Sequence, residues 1–91
     1  MARFSRGVRP DAIRDLRRIL DVSAPEQRQE NARIARQLLD ELAEDPNEQG
    51  EPRPQAWCAE LRVREVGPLR MYFAVRSVDD RYVEVIGFSL I

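Results

Sequence analysis

Apolar and polar residues alternate almost strictly along the last third of this chain, in three runs over residues 57–66, 69–76 and 82–91. Successive side chains of an extended strand leave on opposite faces, so each run can bury one face. Gly67-Pro68 and Asp79-Asp80 stand between the runs and supply turn chemistry. The pattern predicts a three-stranded antiparallel meander. Counting every second residue places Leu61, Val63, Leu69, Met71, Phe73, Val75, Val83 and Val85, with Trp57 and Ala59, on a face that needs cover. The opposite parity collects Glu60, Arg62, Arg64, Arg70, Tyr72, Arg76, Tyr82 and Glu84. Ile86, Phe88 and Leu90 break the alternation. Either a bulge at Gly87 restores the register, or that end is buried on both sides, or it forms an apolar patch for a partner.

The cover comes from the N-terminal half. Ala12, Ile13, Leu16, Ile19 and Leu20 recur at helical spacing behind Pro10 and Asp11, which suit a first helical turn. Ser23 and Glu26 have the spacing of a capping box, with Pro25 between them. They open a second helix to about Glu44, with a stripe of Ala32, Ala35, Leu38, Leu39 and Leu42. Residues 2–8 read as a short edge strand, and 45–55, with Pro46, Gly50, Pro52 and Pro54, as a surface loop. The order is β-α-α-β-β-β. It predicts an α+β fold, a two-helix hairpin on one face of a small, mainly antiparallel sheet, in a single domain over residues 1–91.

Composition narrows the chemistry. All 15 basic residues are Arg, His is absent and the formal net charge is -1, so binding to a polyanion requires local clustering. A single Cys, Cys58, offers neither an internal disulfide nor a zinc site, and without His it has no activating base; no metal and no cofactor are expected. No apolar run reaches membrane-spanning length, and none follows Arg3 and Arg6 as in a secretory leader. A cytoplasmic protein with no membrane association is the expectation. The residues that stand out are Arg62, Arg64, Arg70 and Tyr72, then Arg76 and Tyr82. Guanidinium forks bind phosphate bidentately, and a phenol stacks on a base or donates a proton. The same residues also suit the wet side of a sheet, with Glu60 and Glu84 as cross-strand partners.

The residue order resembles the RelE/ParE toxin superfamily of bacterial type II toxin–antitoxin systems. Val8-Arg9-Pro10-Asp11-Ala12-Ile13-Arg14-Asp15-Leu16 is similar to the family's opening strand and helix. Leu42 to Pro46 followed by Gly50 is like its helix exit. Leu61-Arg62-Val63-Arg64-Glu65-Val66-Gly67-Pro68-Leu69-Arg70-Met71-Tyr72-Phe73 resembles its arginine-bearing strand, tight turn and Arg-apolar-Tyr strand. Val83-Glu84-Val85-Ile86-Gly87-Phe88 resembles its last strand. The resemblance covers nearly the whole chain. It implies a toxin that stops growth, by ribosome-dependent cleavage of messenger RNA or by acting on DNA gyrase, until a cognate antitoxin neutralises it. It assigns tentative catalytic roles to Arg62, Arg64, Arg70 and Tyr72, and nucleic-acid or partner contacts to Arg76, Tyr82 and Phe88. The RNA-cutting branch continues past this point with basic residues and an aromatic or His, where here Ser89, Leu90 and Ile91 follow. The alternative is therefore a non-catalytic member that serves only as a protein-interaction module.

Overall fold

A computed structural model describes residues 3–44, 46, 51–52, 61–77 and 81–91. The order is β1 (Ser5–Val8), α1 (Pro10–Val22), α2 (Pro25–Leu42), β2 (Glu51–Pro52), β3 (Leu61–Val66), β4 (Leu69–Ser77) and β5 (Tyr82–Leu90). The sheet runs β1-β5-β4-β3-β2. All neighbours are antiparallel except β1 and β5, where Ser5 faces Tyr82 and Val8 faces Val85 in parallel register. This is the expected α+β layout, with two helices against one face. The two-residue β2, which pairs with Arg62 and Val63, adds a strand where a loop was expected. Trp57, Cys58 and the Asp79-Asp80 turn lie outside the described residues.

The core lies between the helices and the sheet. Ala12 and Ile19 of α1, with Ile34, Ala35, Leu38 and Leu42 of α2, pack on Leu69, Met71 and Phe73 of β4 and Val83, Val85 and Phe88 of β5. Phe73 and Leu38 are among the largest fully buried side chains. Ile13, expected in the buried stripe, is 44% exposed, because α1 turns Ala12, Leu16 and Ile19 inward instead. The expected capping box does not form: α2 starts from Ala24 with no side-chain cap. Ser23 instead closes α1, its hydroxyl donating to the Ile19 carbonyl at 2.6 Å and accepting from Asn31 Nδ2 at 3.1 Å. That bond accounts for the buried Asn31 in an otherwise exposed first half of α2.

Two local features set which side chains face where. Gly67 has φ +58°, followed by Pro68, and Val66 pairs directly with Leu69 around this two-residue turn. A positive φ at the first turn position is what short hairpin turns of the primed type require. Partners across it therefore have opposite parity: Arg62 faces Phe73, Val63 faces Tyr72, Arg64 faces Met71 and Glu65 faces Arg70. Counting every second residue had put Arg62 and Arg64 beside Arg70 and Tyr72. The register puts them on the helix side, with Met71 and Phe73. Leu61 and Val63 are buried as expected, but on the helix-free face with Ala74.

The second feature is a bulge in β5. Tyr72 pairs with Gly87 and Phe73 with Val85, so Ile86 is the extra residue. Of the three readings of the broken alternation, a bulge is the one present, at Ile86 beside Gly87, and it carries Phe88 into the core at 5% exposure. Phe88 is consequently not part of an exposed partner patch, whereas Leu90 and Ile91 are 43% and 63% exposed. Asp15 of α1 supports the bulge by accepting the Phe88 backbone N–H at 3.3 Å.

Candidate functional site

On the helix-free face, β3, β4 and β5 bring Glu65, Arg70, Tyr72 and Ser89 together. Glu65 faces Arg70 on one side and Ser89 faces it on the other. Arg70 Nε donates to Glu65 Oε2 at 2.8 Å, and Nη2 lies 2.8 Å from the same oxygen. Arg70 Nη1 donates to the Tyr72 phenol oxygen at 3.5 Å, and the Ser89 hydroxyl donates to that oxygen at 3.3 Å. Tyr72 and Glu65, in that order, hold the Arg70 guanidinium above the ordinary arginine range, so it stays charged. The phenol is thus fixed between a permanent cation and a hydroxyl. Such a group can grip a phosphate, stack a ring and stabilise charge that develops on an oxygen.

Further along the same face, Arg76 Nε donates to Glu84 Oε1 at 3.1 Å. Tyr82 crosses to the edge strand β1: a Cβ on Gly7 would lie 2.0 Å from its hydroxyl oxygen, so only glycine leaves room for the ring. Gly7 faces Glu84 in the β1–β5 register, which puts Tyr82 and Glu84 on the side where Gly7 is open.

Arg64 serves elsewhere. Its Nη2 is 2.6 Å from Glu41 Oε2, a carboxylate oxygen buried under α2. Arg62, opposite Phe73, is half-buried on that same side. Of the residues marked out in the sequence, the structure unites Arg70 and Tyr72, sets Arg76 and Tyr82 further along their face, and separates Arg62, Arg64 and Phe88 from them. Glu65 and Ser89 were missed. Reading outward from a two-residue turn, Val66 to Leu69 and then Glu65 to Arg70, is the sequence signal that reveals the first. Ser89 is visible only once the bulge has reset the parity of β5.

Neither a protein-family model nor a curated protein sequence matches the chain. Solved structures do. A chain of the toxin–antitoxin complex RelBE2 from Mycobacterium tuberculosis superposes with a TM-score of 0.76 at 16% identity, over 100% of this chain and 94% of that one. A chain of the chromosomal ParDE toxin–antitoxin system of P. aeruginosa gives 0.72 at 19% identity, over 97% and 96%. Identity this low speaks to backbone architecture, but the likeness spans both chains almost end to end. Strand order, helix hairpin and the parallel pairing of first and last strands accompany this likeness, and the chain has the RelE/ParE fold.

Proposed function

We propose that the chain is the growth-inhibiting half of a toxin–antitoxin pair, neutralised by a cognate antitoxin protein, and that its helix-free sheet face acts on messenger RNA at the ribosome. The fold likeness supports the pairing with an antitoxin. The observation that carries the target is the Arg70–Tyr72–Ser89 group. A guanidinium, a phenol and a hydroxyl converge there on rigid strands, the donor set that a phosphodiester needs. Arg70 takes the phosphate and meets charge building on it. Tyr72 stacks on a base or passes a proton. Arg76 and Tyr82 extend the track, and Arg64 acts from behind it by tying β3 to α2 through Glu41. Inducible expression with and without the neighbouring small open reading frame tests the pairing. Growth should stop, and coexpression should restore it. Mapping of messenger 5′ ends after induction should show new cuts in parent cells and none with Arg70→Ala. Trapped gyrase–DNA complexes in place of cuts would move the target to gyrase.

One observation favours a second, non-catalytic reading. Arg70 and Arg76 are each matched by a carboxylate, Glu65 and Glu84, so positive charge on this stretch of the face is balanced in place. An interaction module needs no more than that. It would copurify with the antitoxin and leave growth unchanged on induction.

A further inference from the structure

We infer that Arg70 is the seat of an exchangeable anion, that the Glu65 carboxylate is its built-in occupant, and that an incoming phosphate group binds by displacing Glu65. The identity of the natural anion as an RNA phosphate rests on the reading above; the exchange itself does not.

The geometry of the pair points to exchange. Arg70 presents the Nε and Nη2 edge of its fork to a single oxygen, Glu65 Oε2, at 2.8 Å from each nitrogen. That edge fits two oxygens side by side, which a phosphate supplies. The Glu65 side chain is 43% exposed, beside the Gly67-Pro68 turn, and ion pairs in such settings are weak and screened by salt. Glu65 can therefore leave without unfolding anything.

Arg70 is better anchored. Its side chain is 29% exposed, its Nη1 is held by Tyr72, and Ser89 faces it from β5. The departure of Glu65 leaves a cation flanked by two neutral hydroxyls. The next described carboxylate along the face, Glu84, is engaged with Arg76. Among the described residues, Glu65 is then the group whose charge competes directly with a ligand at Arg70, and its removal should tighten anion binding rather than loosen it.

Titration of inorganic pyrophosphate into the full chain, followed by calorimetry or by phosphorus NMR, tests this. Glu65→Gln should bind about twofold to fivefold more tightly than the parent, the scale of one screened surface pair. The gain should vanish in Glu65→Gln/Arg70→Gln. Glu26→Gln, in the exposed first turn of α2, removes the same charge far from the seat and should give no such gain. Equal or weaker binding by Glu65→Gln overturns the inference. So does a gain that survives loss of Arg70, or one that Glu26→Gln reproduces. If pyrophosphate behaves as expected while the chain neither arrests growth nor binds RNA, the functional reading fails and the seat stands.

Discussion

Arg64 stands opposite Met71 across the β3–β4 hairpin and reaches under α2 to Glu41, with 2.6 Å between Nη2 and Oε2. The pair joins an inner strand to the C-terminal turn of a helix and is only partly open to water, at 26% and 36% side-chain exposure. Its loss should cost more than a surface pair and less than a buried one. Arg64→Ala and Glu41→Gln should each destabilise by about 1–2 kcal/mol in urea unfolding, with strong coupling in the double variant. Growth arrest should survive either change. Stability unchanged but arrest lost in Arg64→Ala would put that arginine in the working site.

Phe73 is fully buried on the helix side of β4. Phe73→Ala should lose about 3–5 kcal/mol, the transfer and cavity cost of an aromatic ring in a closed core. A melting temperature matching the parent would contradict the strand's orientation.

Gly87 sits where β5 gains its extra residue, and a Cβ there would lie 2.9 Å from Asp15 Oδ2. Gly87→Ala should force Asp15 away from the Phe88 N–H and cost about 1–3 kcal/mol. Asp15→Ala removes both the crowding and the hydrogen bond. The double variant should therefore be clearly less destabilised than the sum of the single ones. Simple additivity would show that the two residues do not meet.

Arg70→Ala should weaken RNA binding and flatten its dependence on salt by about one phosphate contact, a change of about 0.7 in the slope of log K against log salt. Arg64→Ala should leave the slope alone, because its fork faces the helices. Equal slopes in parent and Arg70→Ala would remove Arg70 from the RNA track. Loss of antitoxin affinity alone in Arg70→Ala would make the natural anion a protein carboxylate.

Glu30 is held below its ordinary value of 4.5, first by the hydrogen bond from Arg33, with desolvation opposing it and the Arg33 charge adding the smallest part. A carboxyl whose folded value is lowered contributes stability above its unfolded value and loses it as pH falls through the folded one. Parent and Glu30→Gln should thus differ most near neutrality and converge in acid. The pair is fully exposed, so the difference should be small and should shrink further in high salt.

Much of this was legible in the residues. Alternation marked all three long strands, helical spacing marked Leu16, Ile19 and Leu38, and the break in rhythm at Ile86 left a bulge as one of three readings. The functional face was harder to read because alternation fixes the two sides of a strand but not which side of its neighbour each one joins. That is decided at the turn. A two-residue connection pairs Val66 with Leu69, so the odd positions of β3 lie with the even positions of β4. Arg62 and Arg64 change faces as a result, and Glu65 takes their place beside Arg70. Ser23 misled for a related reason. One hydroxyl can open a helix or close the one before it, and only the contact with Asn31 decides.

Pairing between β1 and β5 also sets a schedule. β1 finds its partner in β5, the described strand farthest from it along the chain, and Phe88 enters the core only from within that strand. Until β5 is in place, both helices can form but the position it fills beneath α1 stays empty. Ser89, opposite Arg70, comes with the same strand. Contacts this distant in sequence form late. The group around Arg70 is thus completed by the same step that closes the core.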